Sequence, residues 1–254
     1  MKFNVDGMDF SYRSEKTLSD ITLDVEEGDI VSILGPNGVG KTTLLRCLNN
    51  ILHPESGLVT INGEDVGHMS RNAIAKEIGY VAQRGELSRI TVFESVLLGR
   101  KPHVTLDASE KDFRLTGKVI ELVGLNDIST KYVDEISGGE YQLVQIARAI
   151  VQQPKVILLD EPTNNLDPSN QHLIMHIIQK VVKNNDMAAI MVVHDLNLAV
   201  RHSDKFILMK NGGIYAAGGR EVITPDNIMS VYNVDSYVEE VHGIPIIVPK
   251  PYDV

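Results

Sequence analysis

Ile30-Val31-Ser32-Ile33-Leu34-Gly35-Pro36-Asn37-Gly38-Val39-Gly40-Lys41-Thr42-Thr43 decides the architecture. Its first five residues form a short apolar run that ends at glycine, the pattern of a buried strand. A helix is expected over residues 42–52, where Leu44, Leu45, Leu48 and Ile51 recur at helical spacing. Between them the spacing Gly-x-x-x-x-Gly-Lys-Thr sets a tight loop whose backbone N–H groups point inward at phosphate oxygens. The positive end of the following helix adds to that field. Lys41 is expected to reach the β- and γ-phosphates, the Thr42 hydroxyl to complete a magnesium shell, and Thr43 to bond the α-phosphate. A glycine-rich turn that matches by chance is the competing reading, and the strand before and helix after argue against it.

Outward from this loop, strand character is expected at residues 2–6, 21–25, 29–34 and 59–63. From about residue 84 to 153 it fades, and helical periodicity dominates at residues 91–98, 110–123 and 140–151. Sheet character returns with Val156-Ile157-Leu158-Leu159-Asp160 and with residues 188–193, on either side of a helix expected at 168–183. Asn211-Gly212-Gly213, between residues 205–210 and 214–217, is a hairpin signal. The tail from about Gly219 carries a short helix, with Thr224 as N-cap and Pro225 at its first position. Alternating buried strands and helices imply an α/β core with a largely parallel sheet.

Composition narrows the function classes. A net charge of -10 argues against nucleic acid as a partner, because such domains usually present a basic face. The single cysteine, Cys47, allows no internal disulfide and suggests a reducing compartment. The N-terminus lacks the apolar run of a signal peptide, and no stretch approaches the roughly 20 apolar residues that span a bilayer. Any membrane role is therefore expected from the cytoplasmic side, through a partner.

Asp160 and Glu161 follow four apolar residues. A carboxylate at the end of a buried strand faces the crevice where open α/β sheets bind ligands. Asp160 is the expected magnesium partner, through water, and Glu161 is placed to polarise an attacking water as general base. Two surface carboxylates at a strand end are the competing reading.

Ile136-Ser137-Gly138-Gly139-Glu140 lies before the Asp160 strand, at the start of a helix. With the Gly35–Thr42 loop (a complete Walker A segment) it resembles the signature motif of ATP-binding cassette (ABC) ATPases. Other segments match along the chain. Tyr12 sits where that family stacks an aromatic ring on adenine, Gln83 matches the Q-loop, Asn165-Leu166-Asp167 the D-loop, and His194 the switch histidine. The resemblance implies a P-loop core with a largely parallel sheet, an antiparallel β subdomain and an inserted helical subdomain. The nucleotide-binding core would span 1–83 and 154–218, the helical subdomain 84–153, and a C-terminal extension 219–254. It implies ATP and Mg2+ as ligands, with Thr42, Gln83 and Asp160 at the metal. Gly35, Pro36, Asn37, Gly38, Val39, Gly40, Lys41, Thr42 and Thr43 would hold the nucleotide, and Glu161, His194 and Gln83 would serve hydrolysis. Two copies would close head-to-tail, Ser137, Gly138, Gly139 and Glu140 of one completing the ATP site of the other, with Asp167 in the D-loop between them. The helix-opening N–H groups of Ser137 to Gly139 and the Ser137 hydroxyl suit that anion-holding role.

The Ser-Gly-Gly-Glu ending and residues 91–103, 193–199 and 231–245 resemble the importer subgroup for iron–siderophore complexes, haem and vitamin B12. That implies a separate membrane permease, a substrate-binding protein acting indirectly, and a position at the cytoplasmic face of the membrane. Importers of molybdate, tungstate, zinc or manganese share the pattern, and a soluble, non-transport ABC ATPase is the alternative class. Glu140 for the more common Gln, Ile136 for Leu, and Asn164-Asn165 for a small pair depart from the family pattern without removing a phosphate donor. Simpler readings suffice elsewhere: His172 and His176 mark the solvated edge of an amphipathic helix, Cys47 packs, and Glu239-Glu240 is a solvated face.

Overall fold

The computed structural model describes residues 1–13, 15–83 and 89–251, which form a six-stranded sheet, a four-stranded sheet and a two-stranded hairpin. The chain opens with strands β1 (Lys2–Tyr12) and β2 (Glu15–Glu26), a hairpin whose Phe3, Val5, Met8, Phe10, Leu18, Ile21, Leu23 and Val25 are buried. Both strands run well beyond the short segments legible in the sequence. β1 absorbs shifts of register after Val5, and these obscure the period-2 pattern. Next come β3 (Ile30–Leu34), α1 (Lys41–Leu48), β4 (Ser56–Ile61) and the short β5 (Glu64–Asp65). These β1, β2, β4 and β5 strands form a four-stranded antiparallel sheet in the order β2-β1-β4-β5. α1 stops four residues before its expected end: Asn50 takes a left-handed φ of 52°, which turns the chain and leaves Ile51 exposed.

α2 (Arg71–Glu77) and β6 (Ile78–Val81) follow, then three helices, α3 (Val92–Leu97), α4 (Glu110–Leu122) and α5 (Gly138–Ile150). Thr91, Ser109 and Ser137 each cap the next helix in a capping box, which satisfies amides that a helix start otherwise leaves open. β7 (Val156–Asp160), α6 (Pro168–Asn184), β8 (Ala188–Val192), α7 (Leu196–His202) and the hairpin β9 (Lys205–Lys210) and β10 (Gly213–Gly218) rebuild the sheet. Its order is β10-β9-β3-β8-β7-β6, parallel except for β10. The tail contributes α8 (Pro225–Tyr232), capped by Thr224 as expected, and a hairpin β11 (Ser236–Val241) and β12 (Ile244–Pro249).

Side-chain alternation explains why the large sheet is covered on both faces. Ile30 and Leu34 of β3, Ile157 and Leu159 of β7, and Ala189 and Met191 of β8 enter one cluster, with α3, α5, α6 and the tail. Val31 and Ile33, Val156 and Leu158, and Ala188, Ile190 and Val192 enter the other, with α1 and the antiparallel sheet. Parallel pairing sets Ile33 and Asp160 both beside Val192. The carboxyl ends of β3, β7 and β8, with β6 alongside β7, therefore come out along one rim of the sheet.

Candidate functional site

At that rim the chain after β3 wraps into a loop before α1. Gly40 precedes the helix at φ 106°, and a Cβ there would sit 2.9 Å from Leu18 Cδ2. A Cβ at Gly35 would sit 2.6 Å from the carbonyl oxygen of Met209. Only glycine lets the loop lie this close to β2 and β9. Lys41 is buried, and its Nζ donates to the carbonyls of Gly35 at 2.7 Å and Pro36 at 2.9 Å. Burial pulls its pKa below the ordinary lysine value, against the opposing charges of Glu161 and Asp160.

Thr42 donates from Oγ1 to Asp160 Oδ1 at 2.9 Å. Asp160 is buried, and burial raises its pKa above the carboxylate norm, with the Thr42 bond working the other way and Glu161 adding to the rise. Thr42 and Asp160 thus form a pair of hard oxygen donors at one point. That is the donor set magnesium takes when waters and phosphates fill the rest of its octahedron. Among the described residues no group of three or more His, Cys, Asp or Glu could hold a metal, and a magnesium bound with a nucleotide needs none. The residues present fit the ion.

Glu161 turns out of β7 in the left-handed region, at φ 54°. Its carboxylate meets three side chains. Gln83 Nε2 donates to Oε2 at 2.5 Å, Asn164 Nδ2 donates to the same oxygen at 2.8 Å, and His194 Nε2 lies 2.5 Å from Oε1. Tyr12 ends β1 edge-on against Phe10, with ring centroids 4.9 Å apart, and keeps 44% of its surface exposed. A cavity of about 790 Å³ is lined by Tyr12, Asn37, Lys41, Thr42, Gln83, Glu161, Asn164 and His194, among others. A mobile phosphate chain entering it would meet an ammonium, helix-start amides, two carboxylates and an imidazole.

The structure thus gathers Tyr12, the glycine loop, Gln83, Asp160, Glu161 and His194 around one site. Ser137, Gly138, Gly139, Glu140 and Asp167 do not line it. Asp167 caps α6, accepting from the Asn170 amide at 3.1 Å. Ser137 accepts from the Glu140 amide at 3.3 Å, and Glu140 Oε2 accepts from the Ser137 amide at 2.7 Å. This corrects one expectation: within the single chain the Ser137 N–H is already bonded, by the very residue that departs from the family pattern. Sequence reasoning missed Glu15, Thr17 and Asn164 as cavity residues. Asn164 stood out only as a departure, with no signal of its reach toward Glu161.

His172 and His176 are exposed as expected, yet His172 Nδ1 also meets the buried His202 Nε2 at 3.1 Å. Cys47 packs as expected, and burial pushes its thiol up to about 12. Glu239 and Glu240 are exposed. No helix among the described residues is long and apolar enough to cross a membrane.

The ABC transporter family pattern matches residues 18–164, more than half of the chain. An uncharacterised ABC transporter ATP-binding protein of Methanocaldococcus jannaschii is 52% identical, over 98% of each chain. A cobalamin import ATP-binding protein of Halobacterium salinarum is 34% identical over 92% of this chain and 59% of that one. A phosphonates import ATP-binding protein of Alcaligenes faecalis is 32% identical over 88% of this chain and 84% of that one. Among solved structures, an inward-facing, putative metal-chelate type ABC transporter superimposes with a TM-score of 0.85 at 26% identity, over 98% of this chain and 97% of that chain. A dimeric, post-hydrolysis ATP-binding cassette bound to ADP and phosphate gives 0.75 at 26% identity, over 85% and 98%. The chain belongs to the ABC transporter family, as an ATP-hydrolysing, ATP-binding subunit of the importer type.

Proposed function

We propose that this chain energises import of a metal-chelate or cobalamin-type solute (an iron–siderophore, haem or cobalamin) through a separate permease at the cytoplasmic face of the membrane. The observation that carries the reading is the convergence of Lys41, Thr42, Gln83, Glu161 and His194 on one cavity, while Ser137 to Glu140 lie outside it. A site with its second half missing calls for a second copy, and the dimeric relative supports that arrangement. We take the chain as one cassette, with a nucleotide-binding core, the helical stretch between β6 and β7, and a C-terminal extension.

In this reading Tyr12 stacks on adenine and residues 35–43 cradle the phosphates. Thr42 and Asp160, with Gln83, hold magnesium, which supplies positive charge to the phosphates. Ser137, Gly138 and Gly139 of the second copy close over the γ-phosphate, with Asp167 at the seam. Glu161 orients and deprotonates the attacking water, and His194 steadies that geometry. Closure with ATP and reopening after phosphate release drive the permease, the logic of a bistable assembly switched by γ-phosphate contacts.

The phosphonates relative supports a second solute class. The test is to purify the membrane complex through a tag on this chain and measure ATP turnover with each candidate solute and its binding protein. Stimulation by a ferric siderophore, haem or cobalamin supports the proposal, and stimulation by a phosphonate alone replaces it. Recovery of a soluble complex without any integral membrane protein would overturn the transport reading.

A further inference from the structure

Glu161 is held by three side chains, but only one of them belongs to its own turn. Gln83 lies beyond the end of β6 and His194 beyond the end of β8, so both reach Glu161 from neighbouring strands. Asn164 is in the same turn as Glu161: its backbone N–H donates to the Glu161 carbonyl at 3.2 Å, and its side chain donates to Oε2 at 2.8 Å. An ionised carboxylate only accepts hydrogen bonds, so the amide nitrogen, not the amide oxygen, must face it. Asn164 also begins the stretch that leads through Asn165, at φ 59°, to the capping Asp167.

We propose that Asn164 is a positioning residue for hydrolysis: it keeps Glu161 Oε2 occupied and so makes Oε1 the oxygen that takes the proton of the attacking water. The inference rests on the reading of Glu161 as general base. In the step, a bond forms between the water oxygen and the γ-phosphorus. The bond from that phosphorus to the bridging oxygen breaks, its electron pair staying on the β-phosphate of ADP, and the water proton passes to Oε1. His194, now on Oε1, must yield that oxygen to the water.

The experiment uses the purified transport complex carrying Asn164→Ala, Asn164→Ser or Asn164→Asp, with Glu161→Gln alongside. ATP turnover gives kcat and KM, and ATP affinity is measured separately. Asn164→Ala is expected to lower kcat roughly tenfold, with KM for ATP within about twofold. Asn164→Ser keeps a short donor and recovers part of the loss. Asn164→Asp has nearly the shape of asparagine but replaces the donor with a like charge, and is expected to be the most damaging of the three. Wild-type turnover in Asn164→Asp, beside an inactive Glu161→Gln, would overturn the role of Asn164 and leave Glu161 standing. Equal losses in Asn164→Ala and Asn164→Ser, or a KM for ATP that rises in step with the fall in kcat, would reduce Asn164 to a turn former and likewise overturn it. Near-normal turnover in Glu161→Gln would remove the general base, and this inference with it.

Discussion

Around Lys41 the charged groups lie at the rim of the sheet, each already held by a backbone carbonyl or a neighbouring side chain; around Ser137 the chain is exposed and bonded to itself. Lys41 and Asp160 are buried, and Glu161 has three partners before any nucleotide arrives. Ser137 and Gly138 are exposed, and Glu140 closes the amide of Ser137. The contrast follows from location. The first half sits at the converging ends of parallel strands, where close packing fixes each group. The second half is a helix start at the surface, whose ready-made anion site is shared with an internal cap. Chemistry is built into the half that one chain can make alone, and control is left to the half that must be delivered.

Removing the reactive group should divide the halves most sharply. Glu161→Gln is expected to cut ATP turnover by about a thousandfold while ATP binding persists. Measured turnover and nucleotide affinity check this, and near-normal turnover refutes it. Next in size is the buried pair that braces the helical stretch. Arg100 Nε donates to Asp112 Oδ1 at 2.8 Å, and its Nη1 donates to the Val151 carbonyl just past α5, the helix that Ser137 begins. Arg100→Ala leaves Asp112 buried without its cationic partner, held only by the Ser109 cap, and should cost about 3 kcal/mol. Hydrogen exchange should report the loss first in α4 and α5, and uniform loosening of β3 and β7 would count against the division.

His202 tests the seam between α6 and α7. Burial, helped by the charges of His172, Arg201 and His176, pulls its pKa from the ordinary 6.5 to about 4. The folded state therefore binds fewer protons than the unfolded one between those values. Its contribution is whole above about pH 6.5 and lost as pH falls toward 4, up to about 3 kcal/mol. Denaturant titrations over that range should show the slope, and His202→Gln should flatten it. Smallest is the cap itself. Ser137→Ala should cost about 1 kcal/mol of stability, readable as a lowered midpoint in denaturant. Glu140→Gln should cost less, since the amide side chain can still accept from the Ser137 N–H.

Much of this was legible in the sequence because local spacing encodes it. Gly35 to Thr43 announces its own loop, and the apolar run at 156–159 fixes where Asp160 and Glu161 emerge. The β1–β2 hairpin was underread because irregular register breaks its alternation. β6 was hidden as a strand of only four residues, and the tail hairpin because its strands mix Pro and Glu with apolar residues. Asn164 reaches Glu161 only because the chain turns after β7, with Glu161 at φ 54° and the Asn164 N–H on the Glu161 carbonyl, which no spacing rule states. Glu140 was weighed as a departure from a family pattern, whereas its physical meaning is a cap.

The bonds from Lys41 to the carbonyls of Gly35 and Pro36 bear on selectivity among anions. The ammonium is not waiting bare; it is on loan to the loop's own backbone. Any incoming anion must displace two carbonyls before it gains the lysine. A lone inorganic phosphate offers little beyond that exchange, whereas a nucleotide brings a base for Tyr12 and a phosphate chain for the helix-start amides. The bonds of Lys41 to its own loop thereby favour a nucleotide over a small inorganic anion without a lid.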